Sequence, residues 1–114
     1  MKEQRVIDAL GALAQETRLR IFRILVQAGP EGLAAGALSE SLGVPAPTLS
    51  FHLQQLAHAG LIARRRAGRS LIYSISILTM NALMQYLMEN CCGGRPELCQ
   101  PEPALRRRKS GKAR

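Results

Sequence analysis

The sequence predicts an α+β protein, mainly helical, and three observations carry that prediction. Hydrophobic residues make up 46% of the 114 positions, yet aromatics are only 4% and Trp is absent, so the core must be built from Leu, Ile, Val, Met and Ala. That palette suits helices. Apolar residues recur at helical spacing up to Gly60 and again from about Leu78. Between these stretches, Leu61–Arg66 and Ser70–Ile75 are short extended runs joined by Ala67-Gly68-Arg69, the signature of a β-hairpin. A chain of this length has room for one core, since domains typically run to about 100–150 residues.

Taken in order, Val6, Ile7, Leu10, Leu13 and Ala14 recur at helical spacing and predict a first helix. Thr17 is the expected N-cap of a second helix over Arg18–Ala28, with Leu19, Phe22, Leu25 and Val26 on one face and Gly29-Pro30 as its stop. Ala37–Leu42 reads as a brief helix closed by Gly43. Pro45 and Pro47 bracket the start of the next, expected over Thr48–His58 with Leu49, Leu53, Leu56 and Ala57 inward. After the hairpin, Met80, Leu83, Met84, Leu87, Met88 and Cys91 trace a last amphipathic helix ending near Cys91-Cys92-Gly93-Gly94. Its three methionines follow core spacing, which favours packing or an interface over copper binding. Residues 1–100 are therefore read as one domain, and 101–114, rich in Pro, Gly and charge, as a basic disordered tail. Helices, a tight helix-turn-helix, a late two-stranded wing and a final helix follow in the order of the winged helix-turn-helix.

The formal net charge of +8 is unevenly placed. Six of the sixteen basic residues fall within the last nine positions, leaving ten against the eight acidic residues elsewhere. Arg64, Arg65, Arg66 and Arg69 form the one dense cluster in the body, and that hairpin localises an anionic partner better than the total charge does. The amino terminus lacks the unbroken apolar run of a signal peptide, and no stretch approaches the roughly 18 apolar residues of a membrane span. A cytoplasmic protein without a membrane partner is expected. An enzyme has no support, because no nucleophile–base pair, paired carboxylates or phosphate-cradling Gly loop is found.

The strongest local signal is LSESLGVPAPTLSFHLQQLAHAGLI. Leu38, Leu42 and Val44 would pack against Leu49, Leu53 and Leu56, with Gly43 permitting the turn between the two helices. The outward face of the second helix is then Thr48, Ser50, Phe51, His52, Gln54 and Gln55, suited to phosphates and base edges of double-stranded operator DNA. His52 could equally cap or pack. The wing arginines would hold the flanking backbone or enter the minor groove.

These residues resemble the ArsR/SmtB family of metal-sensing repressors. The likeness is carried by Ala14-Gln15-Glu16-Thr17-Arg18-Leu19 with Ile21, by Pro47-Thr48-Leu49-Ser50 with His52-Leu53 and Leu56, and by Ala59-Gly60-Leu61-Ile62, Arg66, Gly68-Arg69 and Tyr73. It implies a homodimer whose first and last helices form the interface, and release of DNA when an inducer binds. The chain departs from the family at the reading end of its helix, with Pro45-Ala46 where relatives often have Ser-Gln and Phe51 where a second His is common. An operator sequence therefore does not carry over.

The family's Cys-x-Cys arsenic site is absent, since Ala34 and Gly36 occupy its positions, and Leu78–Asn90 holds neither the Asp nor the His of its zinc site. Cys91, Cys92 and Cys99 remain. Adjacent thiols in a regular helix point about 100° apart, so they can chelate one ion only if the backbone leaves the helix between or just after them. Gly93-Gly94 permits that, and Pro96 helps turn the chain so that Cys99 returns as a third sulfur. Three thiolates suit a soft, thiophilic centre. Some arsenic-responsive members of the family have a similar Cys-Cys pair and later Cys, which makes As(III) or Sb(III) the first choice of inducer. Cadmium, lead, zinc or an organoarsenical are the other ligands this trio could take. A redox switch through vicinal thiols is the rival reading, and plain burial of Cys91 on the last helix is the bland one.

Overall fold

The computed structural model describes residues 1–98. Cys99 and the basic segment 101–114 lie outside the described residues. Five helices, α1 (Glu3–Leu13), α2 (Glu16–Ala28), α3 (Ala35–Leu42), α4 (Ala46–His58) and α5 (Ile77–Met88), surround a three-stranded antiparallel sheet. Its strands are β1 (Leu33–Ala34), β2 (Ile62–Ala67) and β3 (Ser70–Ile75), in the order β1-β3-β2. This is the α+β, mainly helical winged helix-turn-helix expected from the sequence.

One core joins the helices to the base of the wing. Ile21 and Leu25 of α2, Leu38 of α3, and Leu49, Leu53 and Leu56 of α4 meet Leu61, Ile62, Tyr73 and Ile75 in a single cluster. Leu42 and Val44 pack on its edge around Gly43, which closes α3 in the left-handed region at φ 65. A fully buried Leu contributes about 1.5–3 kcal/mol of transfer free energy, so the helix-turn-helix is held mainly by these aliphatic side chains.

The structure corrects four local readings. Helix α2 begins at Glu16 with Gln15, not Thr17, as its N-cap, because the longer Gln15 side chain reaches back to accept the Arg18 amide at 2.8 Å. Its inward face is Ile21 and Leu25, while Leu19 and Val26 are exposed. Helix α1 buries Val6 and Ala9 and leaves Ile7 and Leu10 exposed. Helix α5 buries only Leu83 and ends at Met88, so Cys91 belongs to a separate helical turn and does not continue the apolar face.

Strand β1 has no signature of its own in the sequence. Its two residues pair with the wing, Leu33 with Tyr73 and Ala34 with Ile72, tying the wing's inner strand to the start of α3. Gly32 makes that approach possible. At φ 72 it brings the backbone so close that a Cβ there would sit 2.2 Å from the Tyr73 carbonyl oxygen.

Candidate nucleic-acid interface and thiol segment

Helix α4 starts where Pro45 and Pro47 forgo backbone donors that a helix leaves unpaired in its first turn. With Leu49, Leu53 and Leu56 buried, Thr48, Ser50, Phe51, Gln54 and Gln55 all lie exposed. Phe51 is 54% exposed, a large apolar ring on an otherwise small and polar face.

His52 departs from the expected outward set. It is only 9% exposed, because steps of 100° from Leu49 place position 52 on the flank of the buried stripe and Ala57 just outside it. Its Nδ1 lies 3.1 Å from Nη1 of Arg18. A guanidinium can only donate, so Nδ1 accepts and the imidazole proton resides on Nε2. Burial first, and the Arg18 charge second, push the His52 pKa below its usual 6.5.

Arg18 itself is a junction whose role no local pattern in the sequence indicates. Its Nε donates to the Ala12 carbonyl at 2.7 Å, so one side chain joins the end of α1, the start of α2 and the middle of α4. Three residues after the capping Gln15, it is placed by the cap itself.

The hairpin carries its arginines on two faces. Cross-strand partners share a face, so Arg64 opposite Tyr73 and Arg66 opposite Leu71 lie on the side whose base is buried, and Arg65 opposite Ile72 lies on the other. Arg64 lines a groove with Gln54, Gln55 and His58 of α4, joining wing and helix into one surface. Arg65 donates to the Glu31 carbonyl at 3.3 Å. Arg66 and Arg69 are exposed towards the hairpin end, where Gly68 turns the chain at φ 64. Among the described residues the only ion pair within 4.0 Å is Arg20 with Glu16, so none of them neutralises the wing.

Beyond α5 the chain breaks its helical path twice. Asn90 is left-handed at φ 56, Cys91 begins a single turn through Gly94, and Cys92 is again left-handed at φ 53, ψ 40, followed by Gly93 at φ 65. The backbone thus leaves the right-handed helix between the two adjacent cysteines. Cys91 is a half-buried free thiol, whereas Cys92 is exposed and disulfide-bonded. No cluster of three or more His, Cys, Asp or Glu side chains able to hold a metal is assembled among the described residues. The third expected ligand, Cys99, lies outside them.

A helix-turn-helix whose second helix exposes small polar groups beside an arginine-bearing hairpin defines a winged helix-turn-helix transcriptional regulator. A helix-turn-helix domain model matches residues 13–65. The chain is 32% identical over 83 residues to the HTH-type transcriptional regulator YgaV of Escherichia coli, covering 73% of this chain and 82% of that protein. It is 44% identical over 63 residues to a candidate arsenical resistance operon repressor, ArsR, of Halobacterium salinarum; that match covers 55% of this chain and spans 48% of the relative's length. In structure it is similar to the homodimeric winged helix-turn-helix DNA-binding domain of a candidate ArsR-family regulator from Mycobacterium bovis, with a TM-score of 0.61 and 30% identity over 76% of this chain and 81% of that one. The chain belongs to the ArsR/SmtB family of helix-turn-helix transcriptional regulators. Among the described residues no helix is long and apolar enough to cross a membrane.

Proposed function

We propose that the protein is a homodimeric repressor that holds double-stranded operator DNA through α4 and the wing and releases it when trivalent arsenic or antimony binds Cys91, Cys92 and Cys99. The observation that carries the inducer is the left-handed backbone at Cys92, since only a break of this kind lets adjacent thiols converge on one ion. In the reduced protein each thiol would displace one hydroxyl of arsenite as water, with no change of oxidation state. The donor set is soft and lacks carboxylate or imidazole, which fits a trigonal sulfur site better than the four-coordinate one zinc prefers.

Dimerisation is supported by apolar side chains left uncovered on neighbouring elements, Ile7 and Leu10 of α1 with Leu78, Met84 and Leu87 of α5. The similar Mycobacterium bovis domain is itself homodimeric. The thiol turn follows α5 after two residues, so a ligand gathering the cysteines would pull on that face and change how the two α4 helices sit against successive major grooves, roughly 34 Å apart. A tenfold loss of DNA affinity needs only about 1.4 kcal/mol of coupling.

The disulfide at Cys92 favours a second reading, in which oxidation of the thiols is itself the signal. Fully reduced wild type and a variant with all three cysteines replaced by serine would be titrated with arsenite, then with oxidant, while bound to promoter DNA. Release of the wild type but not the variant by arsenite is the expected result. Release by oxidant alone would establish the redox reading, and release of the triple serine variant by arsenite would place the site elsewhere.

A further inference from the structure

Helix α4 is unusual for a reading element in what it lacks. From Ala46 to His58 it contains no Arg, Lys, Asp or Glu. Arginine and lysine are the side chains that pair with guanine O6 and N7, and acidic groups accept from cytosine N4. The exposed face instead offers the hydroxyls of Thr48 and Ser50, the amides of Gln54 and Gln55, and the ring of Phe51. Glutamine is matched to adenine N6 and N7, and an apolar side chain to the thymine C5 methyl.

Phe51 is also positioned. Its ring packs edgewise with the imidazole of His52, with centroids 5.4 Å apart and planes at 64°, and His52 is buried and bound by Arg18. An exposed aromatic ring on an otherwise polar face has no core to serve, and its hydrophobic surface gains only by covering another apolar group. On duplex DNA the apolar group in the major groove is the thymine methyl.

From this face we infer that α4 selects A·T base pairs and that Phe51 is a specificity-determining residue packing on a thymine C5 methyl. The inference rests on the proposed binding of operator DNA by α4. It assigns the wing arginines to the backbone and the choice of base to a helix with no charged reader.

The test begins by selecting duplexes from a random pool with the full-length reduced protein. In the selected duplex each thymine is then replaced singly by uracil, which keeps the pairing and removes only the methyl. Loss of one buried methyl corresponds to about a fourfold weaker Kd. The wild type should lose about fourfold at one thymine of each half-site. Phe51→Ala should bind more weakly and be indifferent to the same replacement, whereas Phe51→Leu, which keeps an apolar contact, should remain sensitive. Indifference of the wild type to uracil at every position, or selected half-sites fixed as G·C opposite α4, would overturn the inference while leaving DNA binding intact. Failure to enrich any duplex above the starting pool would overturn the DNA reading itself, and the inference with it.

Discussion

Replacing Gly32 by alanine should be among the most damaging changes available at a residue that contributes no side chain. Gly32 sits at φ 72, ψ −166, a region essentially confined to glycine and costing other residues about 1–3 kcal/mol. The new Cβ would lie 2.2 Å from the Tyr73 carbonyl oxygen and 2.9 Å from its carbon. Both are backbone atoms of β3, so no side-chain rotation relieves the clash, and β1 must move off the strand with which Leu33 and Ala34 pair. Adding the strained backbone to the loss of one or two hydrogen bonds, at about 1 kcal/mol each, gives a destabilisation of about 2–5 kcal/mol. Gly43→Ala is the comparison without a clash: its φ is similarly positive at 65, its ψ of 31 puts it in the ordinary left-handed region, and a Cβ there meets nothing within 4 Å. It should cost about 1–2 kcal/mol, the penalty of a left-handed L-residue alone. Urea unfolding followed by circular dichroism at fixed protein concentration would measure both. Equal losses in the two variants would refute the argument that the close approach to β3, rather than the backbone conformation, makes Gly32 necessary.

Two further outcomes concern the reading surface. Because the folded state holds His52 neutral with its pKa depressed below the unfolded 6.5, its contribution to stability is present above that pH and is lost as pH falls through the folded value. Unfolding free energy should therefore decline below pH 6.5, more steeply in wild type than in His52→Asn, which keeps an acceptor near Nδ1 without titrating; parallel pH profiles would exclude this role. Replacing Arg66 and Arg69 together by alanine should weaken binding to all duplexes alike and lower the salt slope by up to about two phosphate contacts, and an unchanged slope would remove these residues from the DNA interface.

The local order of the molecule was largely legible in the residues. Gly29-Pro30, Gly43 and Gly60 punctuate the helices, and the pairing of Ala67 with Ser70 across Gly68-Arg69 sets a hairpin close to the boundaries the alternation suggested. These features are local, governed by backbone conformations that glycine and proline decide within a few residues. The same holds for the candidate site at the level of composition: the arginines of the wing and the hydroxyls and amides of α4 could be named before their positions were known. At the thiols, the sequence alone shows that adjacent cysteines need a bend, but the bend falls between Cys91 and Cys92, after α5 has already ended at Met88.

The order of elements, the leucine seam of the helix-turn-helix and the site of concentrated charge all follow from the residues in their order along the chain. Which way individual side chains turn, and which distant strands meet, depends on long-range packing. His52 looked outward because its polar character suits a reading face, yet α2 supplies Arg18 as a partner 34 positions earlier in the chain, and a satisfied imidazole can be buried. Strand β1 is two residues long and pairs with β3 some forty positions away, a contact that no periodicity encodes. Ile7, Leu10, Met84 and Leu87 fit a helical stripe as well as any core residue does, and remain uncovered because α1 and α5 turn Val6, Ala9 and Leu83 into the core instead. Helical periodicity records that a face is apolar; what covers that face is settled by the packing of the whole chain.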